Sequence, residues 1–184
     1  MADWLELCRT ALDGFGQRVR DIEDWHAPTP DPDWDVSALV RHVIVEQQWV
    51  RPLAAGMSLE DAAQEVRELG DDLAAEWERY AAEALAAWEA APSDARVSLS
   101  FGVVPIEDYL RQMVADAAIH SWDLARAIGA EEALDPELVE AVWTETSAHI
   151  DELAASGLFA APVAISDDAP LQARLLALTG RDPR

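Results

Sequence analysis

The chain has 184 residues, with 36 acidic side chains against 13 basic ones and a net charge of −23. That balance repels phosphate backbones and anionic lipid surfaces, so neither nucleic acid nor membrane is an expected partner. All 13 basic residues are Arg, and without Lys there is no Schiff-base or pyridoxal-phosphate chemistry and no P-loop.

Half of the residues are apolar (51%), enough for one domain over 1–184 with a sizeable core. No apolar run approaches the length of a membrane span. The start, "MADWLELCRTALDGF", lacks a basic region and a cleavage site, so a cytoplasmic location is expected. The lone Cys8 excludes an internal disulfide and sits at an apolar helix position, where packing is its expected role.

In chain order, residues 2–24 place Trp4, Leu5, Cys8, Leu12, Phe15, Val19 and Ile22 at helical spacing, although Gly14 and Gly16 weaken the helix. The Pro-rich stretch 26–35 is a loop. A second helix begins at Asp35 or Ser37, either a suitable cap, and ends between Pro52 and Gly56. Ser58 and Asp61 have capping-box spacing for a short helix that breaks at 70–72. A third long helix carries Leu73, Trp77, Tyr80, Ala84, Leu85 and Trp88 on one side. "ARVSLSFG", 95–102, alternates β-formers and reads as the one strand. The next helix spans about 105–128, with Gly129 as its stop. A further helix has Asp135 as cap, Pro136 in its first turn and Gly157 as terminator. A last short helix covers 171–179. The expected fold is all-α, a four-helix bundle with an additional C-terminal helix and a short β element.

Two of these helices carry polar groups within an apolar stripe. The second presents Leu39, His42, Glu46, Trp49 and Leu53. The helix over 105–128 presents Tyr109, Met113, Asp116, His120, Leu124 and Ala127. Each offers an imidazole and a carboxylate four residues apart. Burying a carboxylate without a partner is costly. Ion pairing between the helices offsets part of that cost, and a divalent metal held by His nitrogen and carboxylate oxygen offsets more. Asp123 either supports His120 or pairs with Arg126 three residues on. His26, in the Pro-rich loop, and His149, near a helix end, are expected to be structural. Trp34 and Trp49 flank the second helix and are candidates to line a pocket. No G-x-S-x-G and no Gly-rich cofactor loop is present.

Three blocks, "WDVSALVRHVIVEQQWVRPLAAG", "SLSFGVVPIEDYLRQMVADAAIHSWDLARAIG" and "LLALTGRDP", resemble the DinB-like metal-binding proteins of the actinobacterial type, related to the N-terminal domain of mycothiol-dependent maleylpyruvate isomerase. The resemblance implies a bundle with a long crossover and a metal held by three side chains. His42 matches the ligand from the second helix, and Asp116 and His120 match the acid-x-x-x-His pair. The isomerase pattern has Glu where this chain has Asp116. It also carries a C-terminal domain for which this chain leaves no room beyond residue 160, which counts against maleylpyruvate isomerase activity itself.

The expected function is that of a divalent-metal-dependent enzyme acting through a low-molecular-weight thiol, as a mycothiol-type S-transferase or isomerase. Zinc is the expected ion, with nickel and iron as the other candidates. His42, Asp116 and His120 would hold it, and Glu46 would accept a proton or support a ligand. The expected partners are a small-molecule substrate and a small thiol. The apolar face through Leu138, Val142 and Ile150 packs either internally or against a second copy in a homodimer. The alternatives are a metal-dependent hydrolase and a non-catalytic stress-response or binding protein with a structural metal.

Overall fold

Asp3 starts the first helix: its side chain accepts from the backbone N–H groups of Leu5 and Glu6 at 3.1 and 3.2 Å. The computed structural model describes residues 2–149 and 160–184. Among them are α1 (Trp4–Arg20), α2 (Val36–Ala54), α3 (Leu59–Glu65), α4 (Leu73–Ala90), β1 (Arg96–Leu99), β2 (Gly102–Pro105), α5 (Ile106–Ile128), α6 (Pro136–Ala148) and α7 (Leu171–Leu178). The expected caps are in place: Asp35 accepts from Ala38 N–H, Ser58 from Asp61 N–H, and Asp135 from Glu137 and Leu138 N–H.

Four helices make the bundle. α1 packs along α5 and α2 along α4, and the α1–α4 and α2–α5 seams close the ring. The segment 21–35 therefore crosses the bundle end between diagonal helices. It is tied to the start of α2 by Ser37 N–H donating to Trp25 O (2.8 Å) and Val36 N–H to Ala27 O (3.0 Å). Phe15, Leu39, Val43, Ile44, Leu53 and Leu124 are at most 2% exposed. Each such side chain contributes ~1.5–3 kcal/mol on burial, and this core fixes the spacing of α2 and α5.

α5 is amphipathic in its first half but enclosed from Ala117 to Ala125, where every residue is buried. α6, α7 and the chain end account for this. α6 packs on α5 and α7, and Arg126 donates to the carbonyls of Asp182, Pro183 and Arg184. A helix hydrophobic or satisfied all round is an interior helix.

Three local readings change. The strand expected over 95–102 is a two-stranded antiparallel hairpin with Val97 opposite Val104 and Leu99 opposite Gly102. Ser100 and Phe101 make the turn, Gly102 takes φ +146°, and the β-branched pair Val103–Val104 supplies the second strand. α1 stops at Arg20, and Ile22 packs on the core from beyond its end. Gly16 strengthens the fold: a Cβ there would lie 2.8 Å from Trp77 Nε1, so the glycine lets α4 approach α1. The described part of the sixth helix ends at Ala148; Ile150 and the expected terminator Gly157 lie outside the described residues. No described helix is long and apolar enough to cross a membrane.

Candidate metal centre

The α2–α5 seam brings the two polar rows face to face. His42 Nε2 lies 3.9 Å from Asp116 Oδ1, and His120 Nε2 lies 3.4 Å from the same oxygen. One ligand atom from each of the three residues falls within 4.8 Å of the other two. The His42 and His120 rings meet edge to face at 5.1 Å between centroids. Trp34, delivered by the crossing segment, covers both at 4.7 and 5.7 Å.

Burial is graded across the site. The His120 side chain is 8% exposed, whereas those of His42 and Asp116 are 30% and 26% exposed, so one side opens to solvent. Asp116 Oδ2 points inward and has no hydrogen-bond partner among the described residues. An unpaired buried carboxylate oxygen costs ~1–3 kcal/mol or more, and a cation removes that cost. Donors coordinated tetrahedrally at zinc distances are ~3.4 Å apart, close to the His120–Asp116 separation. The donor set of two imidazoles and one carboxylate, the convergence of their atoms and the orphaned oxygen all fit a divalent ion.

The charges are strongly coupled. Burial alone would push the Asp116 carboxyl up, but His120 and His42 more than offset this and hold it well below the usual carboxylate range. Burial would push the His120 imidazole down; Asp116 and Asp123 override it and raise it to about 9. Glu46 lies one turn along α2 from His42. Burial and the nearby Asp116 charge lift its carboxyl, while His42 and His120 oppose the lift. Tyr109 is buried beside these groups, and burial, Glu46 and Asp116 push its hydroxyl up.

Behind the site, His120 Nδ1 and Asp123 Oδ2 are 3.0 Å apart. Asp123 is fully buried, and Arg181 donates to it from Nε (3.2 Å to Oδ1) and from a terminal nitrogen (2.8 Å to Oδ2). The expected alternative pairing of Asp123 with Arg126 does not form. Arg126 instead stacks over Trp122 at 4.4 Å and forks onto Glu132. Arg181 was missed from sequence because it lies 58 residues from Asp123; its signal was a Gly-Arg pair closing a helix.

The remaining residues lie elsewhere. His26 Nδ1 meets Asp35 Oδ2 at 3.0 Å, and His149 Nδ1 meets Glu145 O at 2.9 Å. Trp49 packs partly buried on the core. Cys8 is 3% exposed, and burial pushes its thiol up to about 12, so it is a packing residue. A cleft of about 360 Å³ lies between α1, α5 and the segment leading into α6. It shares no residue with the triad, whose convergent donors lie at the α2–α5 seam.

Known proteins share this arrangement of elements. Crystal structures of the mycothiol-dependent maleylpyruvate isomerase and of its histidine-to-alanine mutant superpose with TM-scores of 0.60 and 0.62. Each covers 78% of this chain and 68% of its own, at 17% identity, a likeness of fold. Two uncharacterized proteins, from two strains of Mycobacterium tuberculosis, are 32% identical over 132 residues, 70% of this chain and 69% of theirs. The profile described as "Mycothiol maleylpyruvate isomerase N-terminal domain" matches residues 5–125, from α1 to within a turn of the end of α5, and so includes His42, Asp116, His120 and Asp123. The chain belongs to this mycothiol maleylpyruvate isomerase N-terminal domain family.

Proposed function

We propose that the chain is a divalent-metal-dependent enzyme that acts on an electrophilic small molecule through a low-molecular-weight thiol of the mycothiol type. The observation that carries this reading is the seam itself. Two imidazole nitrogens lie 3.4 and 3.9 Å from one Asp116 oxygen, with the other oxygen of that carboxylate buried and without a hydrogen-bond partner among the described residues. The family's mycothiol-dependent member supports the choice of thiol.

His42, Asp116 and His120 would hold the ion, zinc being the expected one. When bound, it would supply the Lewis acidity that brings a thiol's pKa toward neutrality. The chain's own groups do the rest. Trp34 shields the two imidazoles from water on one side. Glu46, one turn along α2 from His42 and with its carboxyl lifted by burial and by Asp116, is the group assigned to accept the thiol proton. Asp123 holds the buried face of His120.

The test is purification under metal-replete conditions, metal analysis, and consumption of chlorodinitrobenzene with and without mycothiol. One zinc per chain, lost in His120→Ala, together with thiol-dependent turnover, supports the proposal. A wild-type protein that takes up no metal sinks it. The solvent-open side of His42 and Asp116 favours a metal-dependent hydrolase as the second reading; turnover without any thiol would select it.

A further inference from the structure

The sequence "LTGRDP" builds a helix stop with a purpose. Gly180 takes φ +83°, its N–H donates to Ala177 O (3.2 Å), and Arg181 N–H donates to Leu176 O (2.9 Å). This is the double hydrogen-bond closure that a left-handed glycine allows. It sets Arg181 in one place. A terminal nitrogen of Arg181 donates to Thr179 O at 2.8 Å, which ties the guanidinium to its own turn and aims its other two nitrogens at Asp123.

Both Asp123 oxygens are then engaged by Arg181, and the same Oδ2 meets His120 Nδ1. A bidentate guanidinium fixes the plane of a carboxylate as well as its place. The fixed carboxylate holds the Nδ1 edge of His120, and the ring's Nε2 edge is thereby turned to Asp116 Oδ1 and the His42 side. We infer that Arg181 is a positioning residue for the metal site, acting through Asp123 to set the ring of His120, so that the C-terminal turn is part of the site's supporting structure.

A second arginine provides the control. Arg126 also clips the chain end, donating to Asp182 O (2.8 Å), Pro183 O (3.3 Å) and Arg184 O (3.4 Å). Its side-chain bonds go to these carbonyls and to Glu132, away from Asp123 and His120. Losing Arg126 loosens the tail; losing Arg181 also frees the carboxylate behind His120.

This inference rests on the reading of His42, Asp116 and His120 as metal ligands, and the experiment separates the two. Zinc affinity of the full chain is measured by competition with a chromophoric chelator, and the cobalt(II) visible spectrum is recorded, for wild type, Arg181→Ala, Arg181→Lys and Arg126→Ala. Orienting groups behind ligands are worth ~10–100-fold in affinity. We expect a loss in that range for Arg181→Ala with altered cobalt bands. Arg181→Lys should recover only part of it, because an ammonium cannot fork. Arg126→Ala should keep zinc affinity while lowering the unfolding midpoint. If Arg181→Ala does not fold, the Lys variant carries the comparison. Wild-type affinity and spectrum in Arg181→Ala, or in the Lys variant where it stands in, would overturn the inference, as would an equal loss in Arg126→Ala. A wild type that binds no zinc removes the site reading and this inference with it.

Discussion

Replacing Gly16 by Ala tests the packing of the bundle directly. Helix propensity alone favours Ala over Gly by ~0.8–1.0 kcal/mol in a helix interior. Against this, the new Cβ would sit 2.8 Å from Trp77 Nε1 and 3.6 Å from Trp77 Cδ1. The indole has little room to withdraw: it is 3% exposed and packs on Phe15 at 4.6 Å between ring centroids. Overpacking of this kind costs ~1–3 kcal/mol; less the propensity gain, Gly16→Ala should come out ~1 kcal/mol less stable than wild type, within a range of ~0–2. Gly14 lies two residues away on the same helix, and a Cβ there would meet only Arg18 Nη1, at 3.5 Å, an ordinary contact. Gly14→Ala should therefore gain ~0.5–1 kcal/mol. For a chain of this length, 1 kcal/mol moves the midpoint by ~2–4 °C. Thermal and urea unfolding of the two variants should show opposite signs. A Gly16→Ala protein that gains stability as Gly14→Ala does would refute the close α1–α4 approach.

The other expectations concern the site and the core. Glu46→Gln should keep its zinc and lose ~10²-fold or more in thiol-dependent turnover, the scale of a lost general base; unchanged turnover would remove Glu46 from the reaction. In chelator-stripped protein, His120 is raised from 6.5 to about 9, so its contribution is fully present below ~6.5 and lost as pH rises through about 9. Comparing wild type with His120→Gln by urea unfolding at pH 6 and 9.5, the wild-type advantage should shrink by ~3 kcal/mol; a pH-independent difference contradicts the ion pairs drawn here. Cys8, buried and with its thiol pushed up to about 12, should resist an aromatic disulfide reagent at pH 8 until urea unfolds the chain. Labelling of the native protein on mixing would show that α1 is not packed as described.

The sequence made the helices legible because their signals are local. Asp35, Ser58 and Asp135 mark starts, Gly129 a stop, and the period of Leu39, His42, Glu46 and Leu53 marks a face. Asp116 and His120 stood out for the same reason, four apart on one helix. What was not legible depends on partners far along the chain. The choice of Asp123 for Arg181 over Arg126 requires the C-terminal turn to fold back over α5. The value of Gly16 is visible only once Trp77 of α4 stands opposite. Val103 and Val104 were overlooked as a strand because two residues of turn separate them from β1 and a helix begins straight after Pro105. Trp34 over the two imidazoles likewise depends on the crossing segment, which sequence periodicity does not describe.

The shorter carboxylate at position 116 deserves its own test, because the family resemblance points to Glu there. In this chain Asp116 Oδ1 already stands 3.4 Å from His120 Nε2 and 3.9 Å from His42 Nε2. A Glu side chain adds one C–C bond, ~1.5 Å of reach, and would carry its carboxylate past both nitrogens unless it folded back. The helices cannot readily separate to make room, since Leu39, Val43 and Leu124 fill the interior beside the site with no exposed surface. Asp116→Glu, although it supplies the Glu that the resemblance implies, should therefore weaken zinc binding by ~10-fold, about 1.4 kcal/mol. Asp116→Asn should weaken it further by removing the charge that the two imidazoles surround. Chelator competition at fixed pH measures both. Tighter binding in Asp116→Glu would mean that the α2–α5 spacing adapts to the ligand, and that the distances across the seam do not set the choice of carboxylate.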